Sequence, residues 1–379
     1  SHRGRAIGIW SACSVVMTAC GPILGGLLAD IGLWRAIFFV NFPIGLFTLT
    51  VLQTKVTVPF HPRSASIDYG GASFGILALA GINFALLEVA SRGWNDPLIG
   101  VALAGGIIFL IAFLWHESRS TSPLLPLKLF RDRQFSAACQ LTVCFYSALY
   151  GMLFFLALNL IQVQGYAATI AGAAQLPVML LVMLISPIAG SLVDRYGPRL
   201  PLLIGGLVGG MGFLLLARPS LTTGAADYWT SFFPPLLLLG AGLGMSAAPL
   251  STTIMNSVSA KHFGIASGIN STLSRLSSVL GIAAMGPIAI TTFRHSLMRY
   301  ANALSLDDRW SRAWQREAWR FADAVPPPGM SPEMSNAFQN GVRLAYVDAF
   351  RLLSCIAAAV VVLSTLLAAL MLRKPTVGN

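Results

Sequence analysis

Apolar positions in this chain come in long unbroken runs; they neither alternate nor recur once per helical turn. Leu98–Trp115, Pro201–Ala217 and Ile356–Leu372 are examples, each close to the ~18–20 residues that carry a helix across ~30 Å of hydrocarbon. A β-barrel would need segments of about ten residues with alternating polarity, and these runs do not alternate. Gly, Pro and charged residues bound ten such runs, at 5–29, 34–54, 68–90, 97–115, 136–160, 168–192, 199–217, 230–253, 264–292 and 346–372. The pattern predicts an all-α polytopic membrane protein, a helical bundle of ten transmembrane helices.

Composition agrees. Of 379 residues, 55% are hydrophobic and only 10% charged, where soluble domains carry roughly 25% charged residues. The net charge of +11 is scattered over many short loops with no single basic patch, which argues against nucleic acid as a partner. Membrane topology accounts for it instead. An even number of spans puts both ends on one side; if that side is cytoplasmic, the inner segments hold 13 Lys/Arg, whereas the short outer loops hold three, Arg35, Arg92 and Arg218. The positive-inside rule then places both termini of this segment in the cytoplasm and the chain, multi-pass, in the plasma (inner) membrane. The long outer loop 293–345 counts against this with seven arginines, although long loops are weaker determinants. Trp34, Trp94, Trp115 and Trp229 sit at span ends as interfacial anchors. The five cysteines lie inside apolar runs with no close pair and no histidine near them, which suits packing and not a metal or disulfide.

The long loop has its own periodicity. Between Asp307 and Ala324, Trp310, Trp314 and Phe321 fall near one helical face while arginines mix with acids on the others. A short amphipathic helix is expected there, lying on the outer membrane surface or packing over the loop's own helix ends. Pro326-Pro327-Pro328-Gly329 is expected to end it.

The first and ninth spans repeat. An offset of 260 pairs Gly4 with Gly264, Gly8 with Gly268, Ser11 with Ser271, Gly21 with Gly281 and Gly26 with Gly286, giving eight identities in 23 positions, against about two expected by chance. The following spans also begin alike, Trp34-x-x-x-Phe38 against Tyr346-x-x-x-Phe350. Parallel repeats of this kind relate the two six-helix halves of one large transporter class. Residues 136–379 then form a complete half that includes the outer loop 293–345, 1–54 are the last two helices of an earlier half, 55–115 an inserted pair and 116–135 a cytoplasmic linker. The chain begins with Ser inside what reads as a loop, so the first four helices of the earlier half are expected to be absent from it.

Several stretches carry a family likeness. They are Gly21-Pro22-Ile23-Leu24-Gly25-Gly26; Trp34-Arg35-Ala36-Ile37-Phe38-Phe39-Val40-Asn41-Phe42-Pro43-Ile44-Gly45; Ile67-Asp68-Tyr69-Gly70-Gly71; Gln162 through Tyr166, then Gln175-Leu176-Pro177; and Gly190-Ser191-Leu192-Val193-Asp194-Arg195-Tyr196-Gly197-Pro198-Arg199. Taken in order, the set resembles the major facilitator superfamily, specifically its fourteen-span drug:proton antiporter branch (EmrB/QacA-type). Met17 stands where that family's antiporter motif usually has glycine. The resemblance implies a secondary active transporter exporting amphipathic small molecules or drugs against inward protons. It needs no cofactor beyond the proton gradient. The implied partners are the small substrate, protons, the lipid bilayer and either a periplasmic adaptor or the absent N-terminal helices. A non-transporting remnant, or one part of a split transporter, is the alternative.

Physically, Pro22 removes a backbone donor and bends its helix, while Gly21, Gly25 and Gly26 admit a neighbouring backbone. That helix seals the outer face of an antiporter or simply packs small residues. Asp194, Arg195, Gly197 and Arg199 form a cytoplasmic turn that either holds a closed state or is merely solvated. Arg275 is the charge deepest in a span, at a cost of roughly 2.5–3.5 kcal/mol on insertion scales, so it should face the bundle interior or a water-filled cavity. Its stripe, with Asn270, Ser271, Ser274 and Ser278, lines the transport path or the seam between halves, or serves interhelical hydrogen bonding alone. Asn159, Gln162, Gln175 and Asn256 are further candidates for the substrate path. No carboxylate is placed near mid-membrane; Glu88 and Asp348 are candidate outer proton or gate groups. Gly71-Ala72-Ser73-Phe74-Gly75 matches G-x-S-x-G, but no histidine is placed to form an intramembrane dyad with Ser73, so an intramembrane enzyme is the remote reading.

Overall fold

The computed structural model describes residues 21–55, 68–93, 95–120, 123–222, 225–258, 263–304 and 308–372. The first half of the expected opening span, with Met17, and the anchor Trp94 lie outside them. Among the described residues nine helices are long and apolar enough to cross a membrane, matching the second to tenth expected spans. Residues 21–30 are the described part of the first and are called α1.

The following helices are α2 (Ala36–Lys55), α3 (Tyr69–Arg92), α4 (Pro97–Arg119), α5 (Arg133–Leu158), α6 (Ala168–Ala173), α7 (Leu176–Tyr196), α8 (Arg199–Leu216), α9 (Phe233–Asn256), α10 (Phe263–Ala303), α11 (Asp308–Glu317) and α12 (Pro332–Met371). Side-chain acceptors at their first turns explain several starts. Asp96 accepts from Leu98 N at 2.8 Å ahead of Pro97 in α4, Asp132 accepts from Gln134 N and Phe135 N at 2.9 Å in α5, and Ser331 accepts from Met334 N at 3.2 Å in α12. Each satisfies donors that a helix start leaves without partners. One expected span is broken in two: Pro177 cannot donate, and between α6 and α7 the chain turns on the Gln175 N to Gly172 O bond.

Helices α5, α7, α8, α9, α10 and α12 pack into one bundle, with α9 against α7 and α8, α12 against α5, α8 and α10, and α10 against α5. Its core runs from Phe145, Met152 and Phe213 to Phe293, Tyr346 and Phe350. Helices α3 and α4 form a hairpin that meets the bundle through α3 on α10. Helix α2 buries no residue, and Phe38, Phe42 and Phe47 are more than two-thirds exposed, as befits a face covered by lipid or by other helices.

The stretch 293–345, expected as a loop, is mostly helix. Helix α10 runs on to Ala303 and α12 starts at Pro332, so each has about 40 residues and is roughly 60 Å long at 1.5 Å per residue, about twice the hydrocarbon thickness. Phe293, Ser296, Leu297 and Ala301 are all buried at helical spacing; that amphipathic continuation carries α10 beyond its apolar span. Across α11, Trp314 is fully buried and its ring meets Phe338 edge-on at 4.9 Å. The amphipathic helix therefore packs over the ends of α10 and α12 and does not spread on lipid. It is also shorter than expected. It ends at Glu317, well before Pro326, because the chain tightens and Phe321 takes a positive φ of 56°, a left-handed conformation a bulky residue rarely adopts. Its ring lies against Phe155, Phe293 and Tyr346.

Part of the stretch expected as a linker also packs against the bundle. Glu117 is buried, and its Oε2 accepts from Leu125 N at 2.8 Å. Leu125, Leu129 and Phe130 pack on a cluster formed by Phe135, Leu141, Leu250 and Ile254.

Candidate functional site

Helix α1 meets α6 closely among the described residues. A Cβ on Gly26 would run into the Ala168 carbonyl, and one on Gly172 into the Pro22 carbonyl, so both positions exclude any side chain. Asp30 at the end of α1 then fastens the two helices. Its Oδ1 accepts from Ala168 N at 2.8 Å; its Oδ2 accepts from Thr169 N at 2.8 Å and from Thr169 Oγ1 at 2.5 Å. A carboxylate on the first amides of a helix supplies acceptors to donors that otherwise have none and suits the positive end of the helix dipole. Gly21 and Gly25 meet nothing within 4 Å. The repeat mates are used differently: Gly281 in α10 meets the Ser147 carbonyl while Gly286 faces open space. The sequence pattern does not single out Asp30. Its place one turn after Gly26 was the available signal.

A second lattice lies near this contact. Gln164 accepts from Thr222 N at 2.9 Å and Thr222 Oγ1 at 2.8 Å, and donates to Ser220 O and Asn159 Oδ1 at 3.1 Å. Asn159 is buried in a π-turn that ends α5, and Gln162 in the same turn is half-buried. Gln175 is half-buried in the joint between α6 and α7, and Asn256 is exposed at the end of α9. Gln164, beside them, was overlooked.

On α10 Arg275 and Ser271 are exposed, whereas Ile269 on the opposite side is buried. No carboxylate among the described residues lies within 4 Å of Arg275. Asn270 Nδ2 donates to Ser251 Oγ on α9 at 3.2 Å, while Ser274 and Ser278 donate back to the Asn270 and Arg275 carbonyls of their own helix. Arg275 and Ser271 thus remain outward, while Asn270, Ser274 and Ser278 are half-buried.

At the other side of the bundle Gly197 ends α7 with a φ of 74°, and its N–H donates to Val193 O at 2.9 Å. Arg195 is exposed and Arg199 opens α8 half-buried; the Asp194 side chain lies outside the described ones. A separate polar cluster gathers at Asp68. Its carboxylate accepts from Gly71 N at 2.8 Å, and meets His116 Nε2 at 2.8 Å and Ser120 Oγ at 3.0 Å. The Gly71 amide, then His116, hold this carboxyl below its ordinary 3.8. Ser73 is exposed, and His116 is committed to Asp68. Neither candidate outer acid stands alone: Glu88 pairs with Arg92 at 3.0 Å, and Asp348 accepts from Arg299 Nη2 at 3.0 Å and Tyr300 Oη at 3.1 Å, tying α12 to α10.

The sequence model of the Major Facilitator Superfamily matches residues 1–282, well over half of the chain. The chain belongs to the Major Facilitator Superfamily. Its all-helical fold and multiple spans are those of a membrane transporter, not an enzyme. Among relatives, the multidrug resistance protein Stp of Mycobacterium tuberculosis is 34% identical over 287 residues, covering 76% of this chain and 52% of that protein. The tetracenomycin C resistance and export protein of Streptomyces glaucescens is 30% identical over 370 residues, covering 91% and 65%. The methylenomycin A resistance protein of Bacillus subtilis is 27% identical over 286 residues, covering 76% and 60%. The chain therefore spans between about half and two thirds of the length of these relatives.

Proposed function

We propose that this superfamily member works in the proton-coupled export of amphipathic small molecules, with both ends of the segment cytoplasmic. In this reading its helices take the places of the last two helices of the N-terminal half, the inserted pair and the C-terminal six-helix half of the fourteen-span drug:proton antiporter branch. The observation that carries the reading is the contact between α1 and α6. Two helices interlock at Gly26 and Gly172 with no side chain between them, and a single carboxylate, Asp30, holds them through three hydrogen bonds. Alternating access needs a seam that closes tightly yet parts as a unit, and bonds to one ionisable group break together. The names of the relatives, a multidrug resistance protein and antibiotic export and resistance proteins, support the substrate class. Arg275 and Ser271 on the outward face of α10 are assigned to the transport path, and the Asp194–Arg199 turn to the cytoplasmic gate.

The test is efflux of an amphipathic fluorescent dye by the gene product in everted membrane vesicles. Accumulation that collapses with nigericin supports antiport. Accumulation indifferent to the pH gradient overturns proton coupling, and none at all overturns transport.

A further inference from the structure

Outside the export machinery, the cap that α11 builds over the ends of α10 and α12 carries an unusual concentration of charge. Arg309, Arg312 and Arg316 recur at spacings of three and four along α11, so they share one face of the helix. Opposite them Arg294 projects from α10. The four guanidinium groups and Gln315 line one cavity of about 620 Å³, and no carboxylate among the described residues lines it. A second cavity, lined by Met298, Asn302 and Ser311, shares Arg312 and Gln315 with the first.

The walls are held by packing that the arginines do not provide. Trp314 is fully buried against Phe338, and Ala313 and Ala318 are buried beside it. Helix α11 is thus pinned by its apolar face with its arginine face left toward the cavity. Of the acids on the same helix, the Asp308 side chain lies outside the described ones, and Glu317 pairs with Arg320 at 3.3 Å and accepts from Val325 N at 3.4 Å. Asp348 is taken by Arg299 and Tyr300. Arg294 and Arg312 each engage a neighbouring group, and Arg309 lies 5.2 Å over the Trp310 ring. Arg316 is exposed, with no carboxylate within 4 Å among the described residues. Like charges converging on one concavity repel, and fixing them there is favourable once an anion sits between them. Planar guanidinium forks match phosphate oxygens two at a time.

We propose that this cavity is a binding site for a phosphate-type oxyanion, held by Arg309 and Arg316 with Arg294, Arg312 and Gln315 completing the ring. Two sources share that chemistry. Arg294 lies roughly 45 Å along α10 from Phe263 at ~1.5 Å per residue, which is near the outer edge of a bilayer ~40–45 Å thick with its headgroups. An anionic phospholipid headgroup reaches it from the membrane, and a free phosphate reaches it from solution.

The experiment uses the full gene product in nanodiscs. In one arm the lipid is zwitterionic and inorganic phosphate is titrated by calorimetry; in the other, phosphatidylglycerol is mixed in and retained lipid is counted by native mass spectrometry. Binding in either arm, weakened at least about tenfold by Arg309→Gln/Arg316→Gln and by raised salt, supports the site and names its source. Arg320→Gln, which breaks a pair outside the cavity, leaves binding unchanged. If the double glutamine variant fails to fold, Arg309→Lys/Arg316→Lys keeps the charge but loses the forks, and binding several-fold weaker than in the parent is the expected result. Parent protein that binds neither probe, or variants that bind as the parent does, overturn the proposal.

Discussion

Asp30 and Asp68 show how far one carboxylate reaches in this protein. Both satisfy helix-start amides, but Asp30 does so for a helix 138 residues away in sequence, so its loss opens a tertiary seam. Asp30→Ala is expected to leave the bundle folded and to make a cysteine placed at Ala168 react several-fold faster with a membrane-impermeant maleimide. Asn at position 30 restores only part of the protection, because an amide offers one acceptor oxygen where the carboxylate offers two. For Asp68 the consequence is a pH dependence. The Gly71 amide and His116 lower its carboxyl from 3.8, so the folded state binds this proton less readily than the unfolded chain. The clamp's stabilisation is full above about pH 4, near an ordinary carboxyl pKa, and disappears as pH falls through the lowered value. Hydrogen exchange at residues 69–75 and 116–120 should accelerate as pH falls below about 4 once corrected for intrinsic rates, to about the extent that Asp68→Asn produces at neutral pH. Arg275→Ala should reduce dye efflux at unchanged protein level, with Arg275→Lys restoring part of it; full efflux in the alanine variant removes Arg275 from the path.

At the level of elements, the molecule uses two kinds of junction. Where backbones touch, as at Gly26 on Ala168 or Gly172 on Pro22, a single methyl group is excluded. Gly172→Val is expected to overpack the seam by about 1–3 kcal/mol and to give the same maleimide exposure as the loss of Asp30, by a route that pH does not alter. Where aromatic rings lock, as at Trp314 and Phe338, the junction fails by loss of volume. Trp314→Ala should cost about 3–5 kcal/mol of local stability, seen as protease cleavage between Ala318 and Gly329 in otherwise intact protein. The long apolar runs made nearly every span legible, since the bilayer imposes a length that few alternatives satisfy. The helices beyond the membrane were harder to see. The continuation of α10 through Phe293, Leu297 and Ala301 has helical spacing, but its arginines and the following Pro-rich stretch resemble a loop, and only the partner surface on α12 makes that amphipathic stripe worth burying.

For the whole molecule, the family assignment joins the span pattern to a transporter fold, and the relatives' names direct the search for substrates toward antibiotics and other amphipathic drugs. The motif residues divide unevenly in space. Gly26 of the antiporter helix sits in a tight contact, while Gly21 and Gly25 face open surroundings; the repeat offset paired Gly21 with Gly281 without revealing that only the second is pressed against a backbone. Asn159, Gln162, Gln175 and Asn256 were grouped because each is polar and near an apolar span; the fold puts Asn159 and Gln162 in one turn, Gln175 in the joint between α6 and α7 and Asn256 at the end of α9. The sequence by itself determined that this chain crosses a membrane many times and where it crosses, because transfer into hydrocarbon is a local property of each segment. Tertiary structure alone decided which carboxylate fastens which helix, that Gln164 stitches the loops, and that four arginines from two helices line one cavity. Those outcomes depend on contacts between segments far apart in the chain, and no local pattern of polarity specifies a partner.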